Sequence, residues 1–347
     1  MFDLQAIVRE NIKQLVPYSS ARDEYTAQDT SHIMLDANES PFQNGINRYP
    51  DPYQFAVKEK LSDLKGIRSS QMFLGNGSDE AIDLLIRAFC EPGKQKILIT
   101  PPTYGMYKVS ADINNVAITE VPLTKDFQLD VASILDNLDG VNLVFLCSPI
   151  NPTANLLRRD DILAILRSFD GLVVVDEAYI DFCIDQSLSS ELDNYPNLVI
   201  LQTLSKAWGM AGLRLGIALA SESIIEVFNR IKPPYNVNIL TQQKVLELLD
   251  REEDKNDRVV LLLEERNRVS TALQKFQFVI HVYPSDANFL LVKFEEAAKI
   301  FHYLQSRQVI IRDRSNLPGC EGCLRVTIGT PAENDKLLTE LTDWNNG

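Results

Sequence analysis

Between residues 97 and 220 the chain returns repeatedly to short runs that are apolar at almost every position. These are ILIT at 97–100, LVFLC at 143–147, the opening of LVVVDEA at 172–178, the opening of LVILQTLSK at 198–206, and LGIALA at 215–220. A strand that is polar on neither face has no side to offer to water, so both of its faces must be covered. Such runs suit buried parallel strands, and the helical patterns between them suit right-handed βαβ crossovers. The expectation is an α/β fold whose large domain holds a mostly parallel central sheet.

The flanking segments read differently. Residues 1–40 form an N-terminal arm assigned to the small domain: an amphipathic stretch ending at Pro17, the polar SSARDEYTAQDTSH, then Ile33-Met34-Leu35 running into the turn-rich ANESPF. The large domain is expected over 41–237. After a helical stretch at 222–231 and the Pro233-Pro234 break, a charged helical region at about 238–275 leads to β-like segments at 278–283, 289–294, 309–312 and 324–328. That order of elements predicts a smaller α+β domain over 238–347.

Charge and cysteine content bear on function class. The net charge of −14 argues against nucleic acid as a partner, which needs clustered basic residues, but leaves room for a small anion held by a few local cations. No apolar run approaches the ~18 residues of a membrane span, and the N-terminus lacks a basic segment followed by an apolar one, so the expected location is the cytoplasm. The 5 cysteines, an odd number, favour free thiols over a disulfide framework. Cys320 and Cys323 make a CxxC with no second pair or histidine cluster beside it, so no metal site is expected.

Three segments carry chemistry. In GNGSDEAIDLLIRAFC, the turn Gly75-Asn76-Gly77 precedes Ser78, read as an N-cap, and a stripe of Ile82, Leu85, Ile86 and Phe89 at helical spacing. A helix beginning there offers free N–H groups to an anion such as phosphate, although any well-capped helix has this look. In VVVDEAYIDF, Asp176 ends an apolar run and so faces the crevice where α/β proteins bind ligands; it either meets a buried cation or caps the next turn. In LVILQTLSKAWGMAGLRLG, another apolar run delivers Thr203, Ser205 and Lys206, with Arg214 shortly after. A lysine among apolar strands loses its charge readily, and a neutral amine condenses with an aldehyde. Together these are the parts needed to hold a phosphorylated pyridine aldehyde.

SPINPT, VVVDEAYIDF and TLSKAWGMAGLRLG, in that order, resemble the fold-type I aminotransferases that depend on pyridoxal 5'-phosphate (PLP). With LVPYSSARDEY, LDANESP, NRYPDP, GNGSDE, PPTYGMY and LRVTIGTPAEN, the resemblance narrows to the histidinol-phosphate branch and spans about residues 10–340. It implies that Lys206 bonds to the cofactor and that Asp176 pairs with its ring nitrogen. Tyr179 and Asn151 match donors to the ring hydroxyl oxygen, and Tyr104 the aromatic stacked on the ring. Ser78 and Asp79 match the phosphate-binding helix start, and Ser205 and Arg214, with Thr203 nearby, further phosphate ligands. Tyr49 of NRYPDP resembles a tyrosine that reaches the other subunit of a homodimer with shared sites. The implied reaction moves an amino group between histidinol phosphate and 2-oxoglutarate, with glutamate as the other amino acid. Arg312 and Arg325 resemble the anion-binding arginines for the substrate phosphate and carboxylates, and Tyr18 and Asn38 further substrate contacts. A related PLP-dependent decarboxylase or a broad aromatic aminotransferase shares nearly all cofactor residues, and a non-catalytic ligand-binding protein on the same body is the reading from another class. One departure from the family pattern is Ala154, where glycine is usual after Asn-Pro-Thr.

Overall fold

The apolar runs become the middle of a seven-stranded sheet. A computed structural model describes residues 2–19 and 33–346 of the chain; the part of the arm at 20–32 lies outside the described residues. The strands are β1 (Met72–Asn76), β2 (Lys96–Ile99), β3 (Ala117–Glu120), β4 (Val141–Cys147), β5 (Leu172–Asp176), β6 (Leu198–Thr203) and β7 (Leu215–Ala220), in the spatial order β1-β7-β6-β5-β4-β2-β3.

Successive side chains of a strand point to opposite faces. In β6, Leu198 and Ile200 enter one hydrophobic cluster while Val199 and Leu201 enter another on the far side of the sheet. In β5, Val173 and Val175 divide from Leu172 and Val174 in the same way. Both faces are covered, which is why neither strand alternates with polar residues. The helix Ser78–Phe89 covers one face and buries Ile82, Leu85, Ile86 and Phe89, the stripe expected from spacing.

One expectation needs correction. LGIALA has the composition expected of a parallel strand, yet β7 runs antiparallel to both β6 and β1, whereas β2, β3, β4, β5 and β6 are mutually parallel. Returning a chain to a parallel start takes a crossover of a dozen or more residues. The link between Thr203 and Leu215 is too short for that, so the chain turns back.

The second sheet comprises β8 (Val279–Val282), β9 (Phe289–Phe294), β10 (Arg312–Asp313) and β11 (Cys323–Thr327), antiparallel in the order β10-β11-β9-β8. Its covered face packs Leu290, Val292 and Leu324 against Ile300 and Leu304 of the helix Ala297–Ser306 and Leu337 and Leu341 of the helix Pro331–Asn346. The charged helical region at 238–275 is two helices, Ile239–Leu249 and Glu252–Leu273. Val245 and Leu249 of the first join the large sheet's core, while Val269 and Leu273 of the second join the small sheet's. At the other end of the chain, Leu4 and Val8 pack with Phe89 and Ile225 on the large domain. Among the described residues no helix is long and apolar enough to cross a membrane.

Candidate active site

β4, β5 and β6 all end at one edge of the large sheet, and the second sheet stands over that edge. Between them lies a cavity of about 590 Å³. Lys206, Asp176, Tyr179, Ser78, Asp79, Tyr104, Asn151, Thr203, Ser205, Arg214, Arg312 and Arg325 all line it.

Asp176 is the last residue of β5 and only 3% exposed. Its Oδ2 accepts a hydrogen bond from the Tyr107 hydroxyl at 2.6 Å, and its Oδ1 accepts from the Ala178 N–H at 3.1 Å. Burial pushes the carboxyl up to about 6 against the pull of these two donors, because no cation sits on it directly. Lys206, three residues past the end of β6, is depressed by its burial, with Arg325 and Arg214 adding to the effect and Asp176 and Asp79 opposing it. Its Nζ lies 5.5 Å from the centre of the Tyr179 ring.

The helix start forms the opposite wall. Ser78 is the first helical residue, and the cap is Gly77 at φ 74°, not Ser78 as the sequence suggested. A left-handed backbone there lets the chain turn from β1 into the helix, and only glycine adopts it without strain. The Gly77 N–H donates to the Arg214 carbonyl at 2.6 Å, which ties the helix start to the loop carrying Lys206. Asp79 is held by Arg214 at 3.5 Å and by the Tyr104 hydroxyl at 3.1 Å. Gly216 of β7 lies beneath: a Cβ there would stand 2.1 Å from the Ser78 nitrogen.

Arginines close the third side. Arg312 and Arg325 are direct register partners on β10 and β11, so their side chains leave the small sheet on the same face. Arg325 donates from Nη1 to Asn151 Oδ1, its guanidinium lies 5.2 Å from the centre of the Phe289 ring, and its Nε is buried with no protein acceptor. Asn151 in turn donates from Nδ2 to the Tyr179 hydroxyl at 3.5 Å.

Two lining or supporting residues escaped the sequence reading. Arg314 faces the cavity beside Arg312; strand periodicity of two was the available signal, since RDR places both on one face. Tyr107 supports Asp176 from the helix Met106–Ile113, and nothing in the sequence distinguishes it from a packing residue. Three expected residues do not line the cavity of this chain. Tyr18 is 74% exposed, Asn38 is exposed, and Tyr49, 49% exposed, stacks its ring on Tyr235 at 4.4 Å.

A buried carboxylate, an amine open to the cavity and a helix start beside Arg214 are gathered around one cavity that can take a small anion. Residues 22–341 match the family of class I and II aminotransferases, and the chain belongs to that family, whose members use PLP. It is 53% identical to the histidinol-phosphate aminotransferase of Cytophaga hutchinsonii over 99% of both chains, and 52% identical to that of Flavobacterium johnsoniae over 98% of both. The crystal structure of the histidinol-phosphate aminotransferase from Clostridium acetobutylicum superposes with a TM-score of 0.79 at 26% identity, covering 87% of this chain and 91% of that one.

Proposed function

We propose that this protein transfers the amino group of L-histidinol phosphate to 2-oxoglutarate, giving imidazole-acetol phosphate and glutamate, as a step of histidine biosynthesis in the cytoplasm. The observation that carries the substrate class is the trio Arg312, Arg314 and Arg325 on one wall of the cavity, with the Arg325 Nε buried and lacking a protein acceptor. A guanidinium in that state suits a bidentate phosphate or carboxylate.

The residues on the other walls fit PLP. Asp176, buried and short of a cation, suits the protonated ring nitrogen, and the helix start with Ser78, Ser205 and Arg214 suits the phosphate. Tyr104 would cover the ring, and Asn151 and Tyr179 would hold its hydroxyl oxygen. When bound, PLP supplies an electron sink for the pair left when the substrate Cα–H bond breaks.

The chain's own groups do the rest. Asp176, as a charged carboxylate, would hold a proton on the ring nitrogen. Burial and the nearby Arg325 and Arg214 lower the proton affinity of the Lys206 amine, which suits Nζ to take the Cα proton and hand it back to the substrate–cofactor system. Arg325 holds the substrate carboxylate in the glutamate half-reaction, and Arg312 joins it on the substrate phosphate in the other. Tyr18 and Asn38 add substrate contacts from the arm. Tyr49, exposed in the single chain, reaches the phosphate site of the second subunit of a homodimer with shared sites.

A steady-state comparison of histidinol phosphate with phenylalanine as amino donor tests the assignment. Histidinol phosphate should be favoured at least tenfold in kcat/KM. Equal efficiency would replace this reading with a broad aromatic aminotransferase.

A further inference from the structure

Tyr107, in the helix Met106–Ile113, has a side chain wholly excluded from water, and the roles above leave it unused. Its ring stacks on Phe145 at 4.8 Å and meets Tyr104 edge-on at 5.6 Å. These contacts need only an apolar ring. The hydroxyl is a different matter: leaving a buried polar group unpaired costs about 1–3 kcal/mol, so packing alone would favour phenylalanine. The hydroxyl instead donates to Asp176 Oδ2 at 2.6 Å.

We propose that Tyr107 is a positioning residue for the transamination, which fixes the plane of the Asp176 carboxylate and holds it in its charged form for the cofactor's ring nitrogen. This rests on the reading of Asp176 given above. A carboxylate has about four lone-pair positions. Tyr107 takes one on Oδ2 and the Ala178 N–H takes one on Oδ1, so rotation about the side chain would break both bonds and the remaining positions stay available to the cavity.

The groups facing Asp176 come from every element around it. Asp79 stands on the helix Ser78–Phe89 and disfavours its charge, Lys206 follows β6 and favours it, and the Cys147 thiol ends β4; Tyr104 and Tyr179 also lie close. Among the influences that favour the carboxylate, the Tyr107 hydrogen bond is the largest. Lys206 serves the reacting centre, so Tyr107 supplies what burial takes away without adding a second cation to the ring's nitrogen end.

Tyr107→Phe in the full-length chain keeps the ring and deletes one oxygen. Three quantities are read: kcat and KM for histidinol phosphate, melting temperature, and PLP affinity across pH. In the wild type the affinity should weaken as the pH falls through about 6, where Asp176 takes up its proton. In Tyr107→Phe the same weakening should set in roughly one pH unit higher, with kcat about tenfold lower and KM nearly unchanged. Phe145→Leu loosens the ring stack without touching the hydroxyl, and should lower the melting temperature while leaving the onset in pH at its wild-type value.

An unshifted onset in Tyr107→Phe would overturn the proposal even if the protein melted earlier, and so would an equal shift in Phe145→Leu. Asp176→Asn separates the two levels. If it leaves the rate intact, the assignment of Asp176 itself fails; if it lowers the rate while Tyr107→Phe shows no pH shift, only the role of Tyr107 fails.

Discussion

Arg325 of β11 donates to Asn151, in the loop after β4, across a sequence separation of 174 residues and from one sheet to the other. The contact joins two residues that line the cavity, an arginine proposed for the substrate and an asparagine proposed for the cofactor. Because Asn151 also donates to Tyr179, a change at any one of the three is felt by the other two.

Arg325→Leu should impair both half-reactions, since it removes the guanidinium proposed for the glutamate carboxylate and unseats Asn151. Arg312→Leu should raise the apparent KM for histidinol phosphate more than that for glutamate, because a phosphate of nearly two charges engages more than one arginine. Each loss should show as roughly a ten- to hundredfold fall in kcat/KM, from about 1.5–3 kcal/mol per charge-assisted bond. Arg312→Leu with both half-reactions untouched would place the phosphate elsewhere.

Lys206→Ala should abolish covalent attachment of PLP, seen as loss of the borohydride-sensitive visible band, and slow transamination by several orders of magnitude. PLP should still bind through its phosphate, because Ser78, Ser205 and Arg214 are unaltered. Substantial turnover in this variant would remove Lys206 from the mechanism.

Tyr49 lies outside the cavity of its own chain, stacked on Tyr235. Mixing Lys206→Ala subunits with Tyr49→Phe subunits should regenerate activity, because a mixed dimer then contains one site with both groups intact. Activity no greater than the sum of the separate variants would mean that Tyr49 acts within its own chain.

Ala154, fully buried, adopts φ 72°, the left-handed conformation that glycine favours. Its carbonyl accepts from the Asp286 N–H at 2.8 Å, which fixes the turn against the small domain. Ala154→Gly should be nearly neutral, since relief of the Cβ strain is offset by added freedom of the unfolded chain. Ala154→Val should cost about 2–4 kcal/mol, through a β-branched residue at positive φ in a closed space, and melt several degrees lower.

The strands that carry Asp176 and lead to Lys206 were legible because a strand buried on both faces must be apolar throughout. The direction of β7 was not, since LGIALA has the same composition as its parallel neighbours and only the length of the link before it decides the matter. The cap at Gly77 was misread for a related reason: Ser78 has the right chemistry, but the backbone has to turn left-handed one residue earlier. Arg314 was within reach through strand periodicity. Tyr107 was out of reach, because its partner lies 69 residues away and nothing local marks a buried hydroxyl.

Gly216 pairs with Gly75 on one side and Thr203 on the other, and its missing side chain is what lets the helix start rest on the sheet. The two properties usually separated in a variant library, whether the protein folds and whether it takes an anion, therefore coincide at this position. Any side chain at 216 lifts Ser78 away from the loop holding Arg214, so a library scored for expression and one scored for cofactor retention should reject the same residues there. At Arg214 itself, 53% exposed along its side chain, the two screens should disagree.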